Sequence, residues 1–308
     1  RSMSNQGIVI RSTGSWSTVQ LDSGSFQECR LRGNFRIKGI KSTNPIAVGD
    51  RVTVEEDPKD SSQGVITHIS ERKNYIVRRS VNLSKRSHII AANIDQLIVL
   101  ATVSEPRTSL GFIDRLLVTA EAYTIPAIIV FNKADLLSEE ENEILSEYRH
   151  IYESVGYQTL LVSALDKTGL EALKSLMKDK TSLVSGHSGV GKSTLINVIE
   201  PDLDLKVNAI SEVHRKGTHT TTFAEMFPLA FGGFIIDSPG IKEFGMIDMD
   251  NDHIGHYFPE IFKTSEECKF NNCSHMNEPH CAVKNAVESG DIAESRYNTY
   301  LSIVSELQ

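Results

Sequence analysis

The sequence predicts a multidomain fold: an all-β barrel, then a mostly parallel α/β sheet, then a small helical domain. Three observations predict it. Short β-rich runs with no helical period, punctuated by Gly, Ser, Asn, Asp and Pro, fill residues 7–70. From about residue 94 buried-type strands alternate with helical stretches. From residue 246 a Cys/His cluster precedes one closing helix. A length of 308 residues suits two or three domains at about 150 residues each.

The barrel, placed at residues 3–71, draws its strands from Gly7–Ile10, Thr18–Leu21, Arg51–Val54 and Gly64–Thr67. About five strands in so short a span suit an OB-like barrel, a shape that often binds oligonucleotides. Residues 72–93 carry Arg72, Lys73, Arg78, Arg79, Lys85 and Arg86 and read as a basic linker available to a partner's phosphates. The central domain, 94–245, shows strands at 96–101, 127–131, 159–162, 181–184, 223–227 and 231–236. Helices are expected at 110–123 and 169–177, and Ser138 with Glu141 predicts a capping box for a third. The C-terminal domain, 246–308, closes with a helix from about 292 to 307, where Tyr297, Tyr300, Leu301, Val304 and Leu307 recur at helical spacing as core positions.

Charge follows the same division. The net charge is −8, yet residues 1–90 hold 15 Lys/Arg against 8 Asp/Glu, while residues 246–308 hold 4 against 11. A basic N-terminal segment on an acidic chain predicts a polyanionic partner there. No apolar run approaches the ~20 residues of a membrane span, and no secretory leader pattern is present. Four cysteines do not make a disulfide framework, so a cytoplasmic protein is expected.

Gly186-His187-Ser188-Gly189-Val190-Gly191-Lys192-Ser193 fits the phosphate-loop pattern G-x-x-x-x-G-K-[ST], between a buried strand and an apolar helix. Its glycines allow successive N–H groups to point at phosphate oxygens, and the helix N-terminus adds partial positive charge. Lys192 reaches the terminal phosphates, Ser193 is a Mg²⁺ ligand, and Thr194 continues the binding turn. Asn132-Lys133-Ala134-Asp135 resembles the N-K-x-D motif, in which a fixed carboxylate accepts the ring N–H and exocyclic amine of guanine; adenine has no donors so arranged. Ser163-Ala164 resembles the Ser-Ala motif that supports the guanine carbonyl. Asp237-Ser238-Pro239-Gly240 fits D-x-x-G, with Asp237 near Mg²⁺ and Gly240 near a γ-phosphate. Among the threonines at 218–222, Thr221 is the candidate Mg²⁺ ligand of a switch segment.

In Ras-like GTPases the phosphate loop comes first. Here N-K-x-D and Ser-Ala precede it, and D-x-x-G closes the set, which is a circular permutation. The position after D-x-x-G is Ile241, where Ras-like enzymes place a water-orienting Gln. His219 is the candidate catalytic replacement, alongside Lys192. Further on, Cys268-x4-Cys273-x-His275-x5-Cys281 fits a closed tetrahedral zinc site, with His280 a rival to His275 as the nitrogen ligand.

Taken together these motifs resemble the ribosome small subunit-dependent GTPase A (RsgA/YjeQ) family. The resemblance implies an OB barrel, a permuted GTPase and a Cys₃His zinc domain. It further implies a GTP-hydrolysing factor with Mg²⁺ and one structural Zn²⁺; a monomer is expected. Such a factor acts late in assembly of the small ribosomal subunit, contacts its rRNA and is activated by it. An alternative is a nucleotide-gated RNA- or protein-binding switch whose hydrolysis is incidental.

Overall fold

The computed structural model describes residues 5–13, 15–32, 45–79, 87–203, 224–237 and 251–307. Five strands close the N-terminal barrel: β1 (Asn5–Ser12), β2 (Trp16–Leu21), β3 (Phe26–Leu31), β4 (Arg51–Asp57) and β5 (Asp60–Ile69), in the order β1-β2-β3-β5-β4. Alternation selects the inward side chains, so Val9, Val19, Leu21, Cys29, Val52, Val54 and Ile66 form one core, joined by Ile46 from the segment before β4. The parallel β3–β5 pair sets Cys29 opposite Gly64. A Cβ at Gly64 would lie 2.6 Å from Val54 Cγ1 and 2.8 Å from Cys29 Sγ, so only glycine fits where barrel closure brings the strands together.

The segment expected to be a linker instead pairs β6 (Tyr75–Arg79) with β7 (Ser87–Ala92) antiparallel. The side chain of Arg72, expected to face a partner's phosphates, is buried. Its guanidinium donates to both oxygens of Asp50 at 2.7 Å and to the Pro45 carbonyl at 2.6 Å. Lys73 pairs with Asp95 at 2.5 Å. The physical reason is local charge matching: each cation meets a carboxylate of its own chain, which spacing along the sequence does not reveal. Lys85 and Arg86, and the side chains of Arg78 and Arg79, lie outside the described residues.

The central sheet has the order β10-β9-β8-β11-β13-β12, from β8 (Gln96–Ala101), β9 (Ala127–Phe131), β10 (Gln158–Leu161), β11 (Thr181–Ser185), β12 (Glu225–Pro228) and β13 (Phe234–Asp237). The pairs β8–β9, β9–β10 and β11–β13 are parallel, while the edge strand β12 runs antiparallel to β13. The last of these strands starts at Phe234 rather than 231, because Gly232 and Gly233 sit at φ +96° and +94° in the turn before it. Helices α1 (Leu110–Ala122), α2 (Glu139–Glu153), α3 (Leu170–Met177) and α4 (Lys192–Ile199) follow the expected pattern. The Ser138–Glu141 capping box forms with both reciprocal bonds.

The C-terminal part carries a 3₁₀ turn at Asn251–Tyr257, then α5 (Pro259–Ser265), α6 (Ala282–Ser289) and α7 (Glu294–Leu307). Ile254, Phe258, Ile261, Cys281, Val283, Ile292, Tyr300, Ile303 and Val304 form its core together with Val118 of α1. The chain divides into two compact units. The barrel, β6, β7 and β11–β13 belong to one; β9, β10, α1, α2, the 185–195 loop and the C-terminal helices belong to the other.

Candidate nucleotide and metal sites

The buried strand β11 ends at Ser185, and the chain turns through the phosphate loop into α4. Gly189 and Gly191 take φ of +84° and +89°, a region that a side chain disfavours. Space is short as well: a Cβ on Gly191 would lie 2.6 Å from Asn132 Nδ2. That close approach is bonded. Asn132 Nδ2 donates to the Val190 carbonyl at 3.1 Å, and Lys133 Nζ donates to the Gly189 carbonyl at 2.8 Å. The 132–135 segment and the phosphate loop, some 55 residues apart in sequence, are thereby clasped. Asn132 Oδ1 is buried without a hydrogen-bond partner. A buried acceptor of that kind is expensive unless a ligand or water donor meets it.

Asp135 follows in a 3₁₀ turn that Lys133 enters at φ +62°. The Ser163 hydroxyl donates to Asp135 Oδ1 at 2.5 Å and accepts from the N–H groups of Leu165 and Asp166, each at 3.2 Å. A carboxylate has about four acceptor positions, so this bond fixes Asp135 and leaves capacity for two guanine donors. Ala164 lies in the same turn. The Ala134 N–H donates to the Val162 carbonyl at 3.1 Å and joins the two loops. Gly186, His187, Ser188, Lys192, Ser193 and Thr194 line the loop and the first turn of α4, and Asp237 stands half-buried at the end of β13. His219, Thr221, Gly240 and Ile241 lie outside the described residues.

The metal-type cluster is a second centre. One ligand atom each from Cys268, Cys273, His275 and Cys281 lies within 4.8 Å of the others. His275 Nδ1 is 3.4 Å from Cys281 Sγ and 3.7 Å from Cys268 Sγ, which makes Nδ1 the inward nitrogen. His280, the rival, is exposed and outside the group. Burial disfavours the imidazolium of His275 and pushes the Cys273 thiol up to about 12, with the neighbouring Cys281 adding to the rise. Three thiols and a neutral imidazole at these separations fit Zn²⁺, whose bonds of about 2.0–2.3 Å need only small inward movements. All four positions are protein side chains, so a Zn²⁺ held there would be structural, with no open position.

Two residues read as plain core in the sequence do more. Tyr297 donates its hydroxyl to the His275 carbonyl at 2.5 Å, and Tyr300 donates to the Ser274 carbonyl at 2.7 Å. The cysteine spacing gave no signal for them, since they lie a helix away.

The sequence profile of the RsgA N-terminal domain matches residues 6–66, and that of the RsgA GTPase matches residues 69–247. The chain belongs to the RsgA GTPase family. It is therefore a GTPase, with its motifs in circularly permuted order. Similar proteins include one from Flavobacterium johnsoniae, 56% identical over 97% of this chain and 92% of the relative, and one from Bacteroides fragilis, 53% identical over 98% and 96%. Both are named Small ribosomal subunit biogenesis GTPase RsgA. Two solved structures share the fold. YjeQ from Thermotoga maritima has a TM-score of 0.81 and 37% identity over 99% of both chains. YloQ, described as a circularly permuted GTPase, has a TM-score of 0.77 and 30% identity over 99% of this chain and 95% of its own.

Proposed function

We propose that this RsgA-family chain hydrolyses GTP in the biogenesis of the small ribosomal subunit, binds that subunit and its rRNA, and is activated by it in the cytoplasm. The observation that carries the nucleotide part is the clasp: Asn132 and Lys133 hydrogen-bond to carbonyls of the phosphate loop, while Ser163 holds Asp135. Base recognition and phosphate binding are thus one rigid surface. The ribosomal part is supported by the names of relatives more than half identical over nearly the whole chain.

In this reading Asp135 accepts two hydrogen bonds from guanine, Ala164 flanks its carbonyl, and the N–H groups of 186–194 cradle the phosphates. Lys192 and Gly240 meet the terminal phosphate. Ser193 and Thr221 hold Mg²⁺, which neutralises charge on the phosphate oxygens. His219 orients water for attack on the γ-phosphorus, releasing GDP and phosphate. Cys268, Cys273, His275 and Cys281 hold one Zn²⁺ that braces the C-terminal domain. The domains divide near 71, 93 and 245, and the protein works as a monomer.

The test is turnover of GTP and of ATP by the purified protein, with and without small ribosomal subunits. Expected is a strong preference for GTP and slow basal turnover that rises on adding subunits. Completed GTPase sites gain about 10³–10⁵ in rate. Equal use of ATP would overturn the guanine assignment. GTP-dependent subunit binding with no rise in rate would favour the switch reading instead.

A further inference from the structure

His187 is a phosphate-loop residue whose ring is held by a distant element. Its Nδ1 faces the Ser188 carbonyl at 2.8 Å, and its Nε2 lies 2.6 Å from Thr108 Oγ1. A carbonyl only accepts, so Nδ1 carries a hydrogen, and in the neutral ring Nε2 accepts from the Thr108 hydroxyl. Thr108 Oγ1 in turn accepts the Thr102 N–H at 2.9 Å, and the Thr108 N–H returns to the Thr102 carbonyl at 2.8 Å. The 102–108 loop is thus closed on itself, and Thr108 is fully buried. The phosphate loop meets this loop twice, since a Cβ on Gly189 would lie 2.8 Å from Pro106 Cγ. Phe112 of α1 sets its ring edge-on to His187 at 5.6 Å.

The same short segment is anchored from behind. Tyr148 donates to the Thr108 carbonyl at 2.9 Å, and Tyr152 donates to Asp114 Oδ1 at 2.8 Å. Asp114, on the second turn of α1 and fully buried, also accepts from Arg296 at 3.2 Å and from Thr299 at 2.6 Å, both on α7. Arg296 is fully buried, bonds Glu260 of α5 at 2.9 Å and lies 4.7 Å from the Phe258 ring. A buried ion pair contributes little net stability against a well-packed apolar replacement. Here it joins one point of α1 to one point of α7.

We propose that His187 is a positioning residue: its imidazole latches the phosphate loop to Thr108 at the foot of α1, an element that Arg296 joins to the C-terminal domain. The backbone of His187 remains with the nucleotide while its side chain carries the load. Loss of the latch lets the phosphate loop relax between nucleotides, and changes at the Arg296 anchor reach the nucleotide only through it. The proposal rests on nucleotide occupying the 186–194 loop.

The experiment is titration of the full-length protein with a fluorescent GDP analogue, with thermal melts to verify the fold. His187→Ala is expected to weaken affinity about tenfold, and His187→Gln, whose amide reaches about as far as Nε2, to restore most of it. Thr108→Val should weaken binding similarly, and the double variant should be no worse than either single change. Arg296→Lys keeps the charge and loses the fork; it should weaken GDP about threefold in the wild-type background and not in His187→Ala. Unlinked sites add to within about twofold, so additive effects would overturn the proposal. So would folded His187→Ala with unchanged affinity. If Thr108→Val fails to fold, the His187→Ala and His187→Gln pair still decides, because that ring is partly exposed. Wild-type protein that binds no GDP would instead remove the nucleotide reading on which the latch rests.

Discussion

At the scale of single residues, the proposed base contact and the pairing of charge are both open to test. Asp135→Asn keeps size and should keep the fold, but it replaces an acceptor with a donor. Xanthine presents an acceptor where guanine has its amine, so preference should move from GTP to XTP, read by competition binding; undiminished GTP affinity would remove Asp135 from the base site. Arg72 makes the opposite point. Its pairing with Asp50, where the two side chains are 6% and 0% exposed, is a buried ion pair. Arg72→Met leaves the Asp50 carboxylate with the Ala47 N–H at 2.8 Å and no counter-charge, and should cost about 3–5 kcal/mol in urea unfolding. Stability close to wild type would show that Asp50 finds another partner. His219→Ala should retain GTP and subunit binding while losing most of the subunit-stimulated rate; full stimulated turnover would refute its role.

At the scale of elements, the 268–281 loop has little packing of its own. It is tied by the Cys281 thiol accepting the Lys284 N–H at the start of α6 and by two tyrosines of α7. Metal binding to such sites contributes on the order of 10 kcal/mol in isolated peptides. Protein purified without chelator should carry one zinc per chain. Stripping it should speed hydrogen exchange through α6 and α7, where the core shares Cys281 and Tyr300. Zinc-free protein with unchanged exchange there would mean that packing alone holds these helices. The capping box before α2 was legible in sequence because all its partners lie within four residues. The β6–β7 pair was not, because basic composition says nothing of backbone pairing across an intervening segment.

Across the molecule, the basic excess of residues 1–90 is smaller in effect than its count. Arg30, Arg51, Arg72 and Lys73 each meet an aspartate of the same chain. Each phosphate neutralised adds about 0.7–0.9 to the slope of log affinity against log salt. Subunit binding should therefore weaken with salt, with a slope well below the one implied by the 15 Lys/Arg of that segment. Affinity independent of salt would exclude phosphate contacts as its source. Among the described residues no helix is long and apolar enough to cross a membrane.

The sequence by itself determined the barrel, the alternating sheet, the permuted order of the nucleotide motifs and the spacing of the thiols. Each of these is written in short windows, where periodicity, glycine placement and ligand spacing act locally. Tertiary structure alone decided that His275 and not His280 faces the thiols, since the choice depends on which ring is turned inward. It also decided that Arg72 serves Asp50, and that His187 meets Thr108 across 79 residues. The physical reason is the same in each case: a polar group taken out of water must find a partner, and which partner comes within reach is fixed by how distant segments pack.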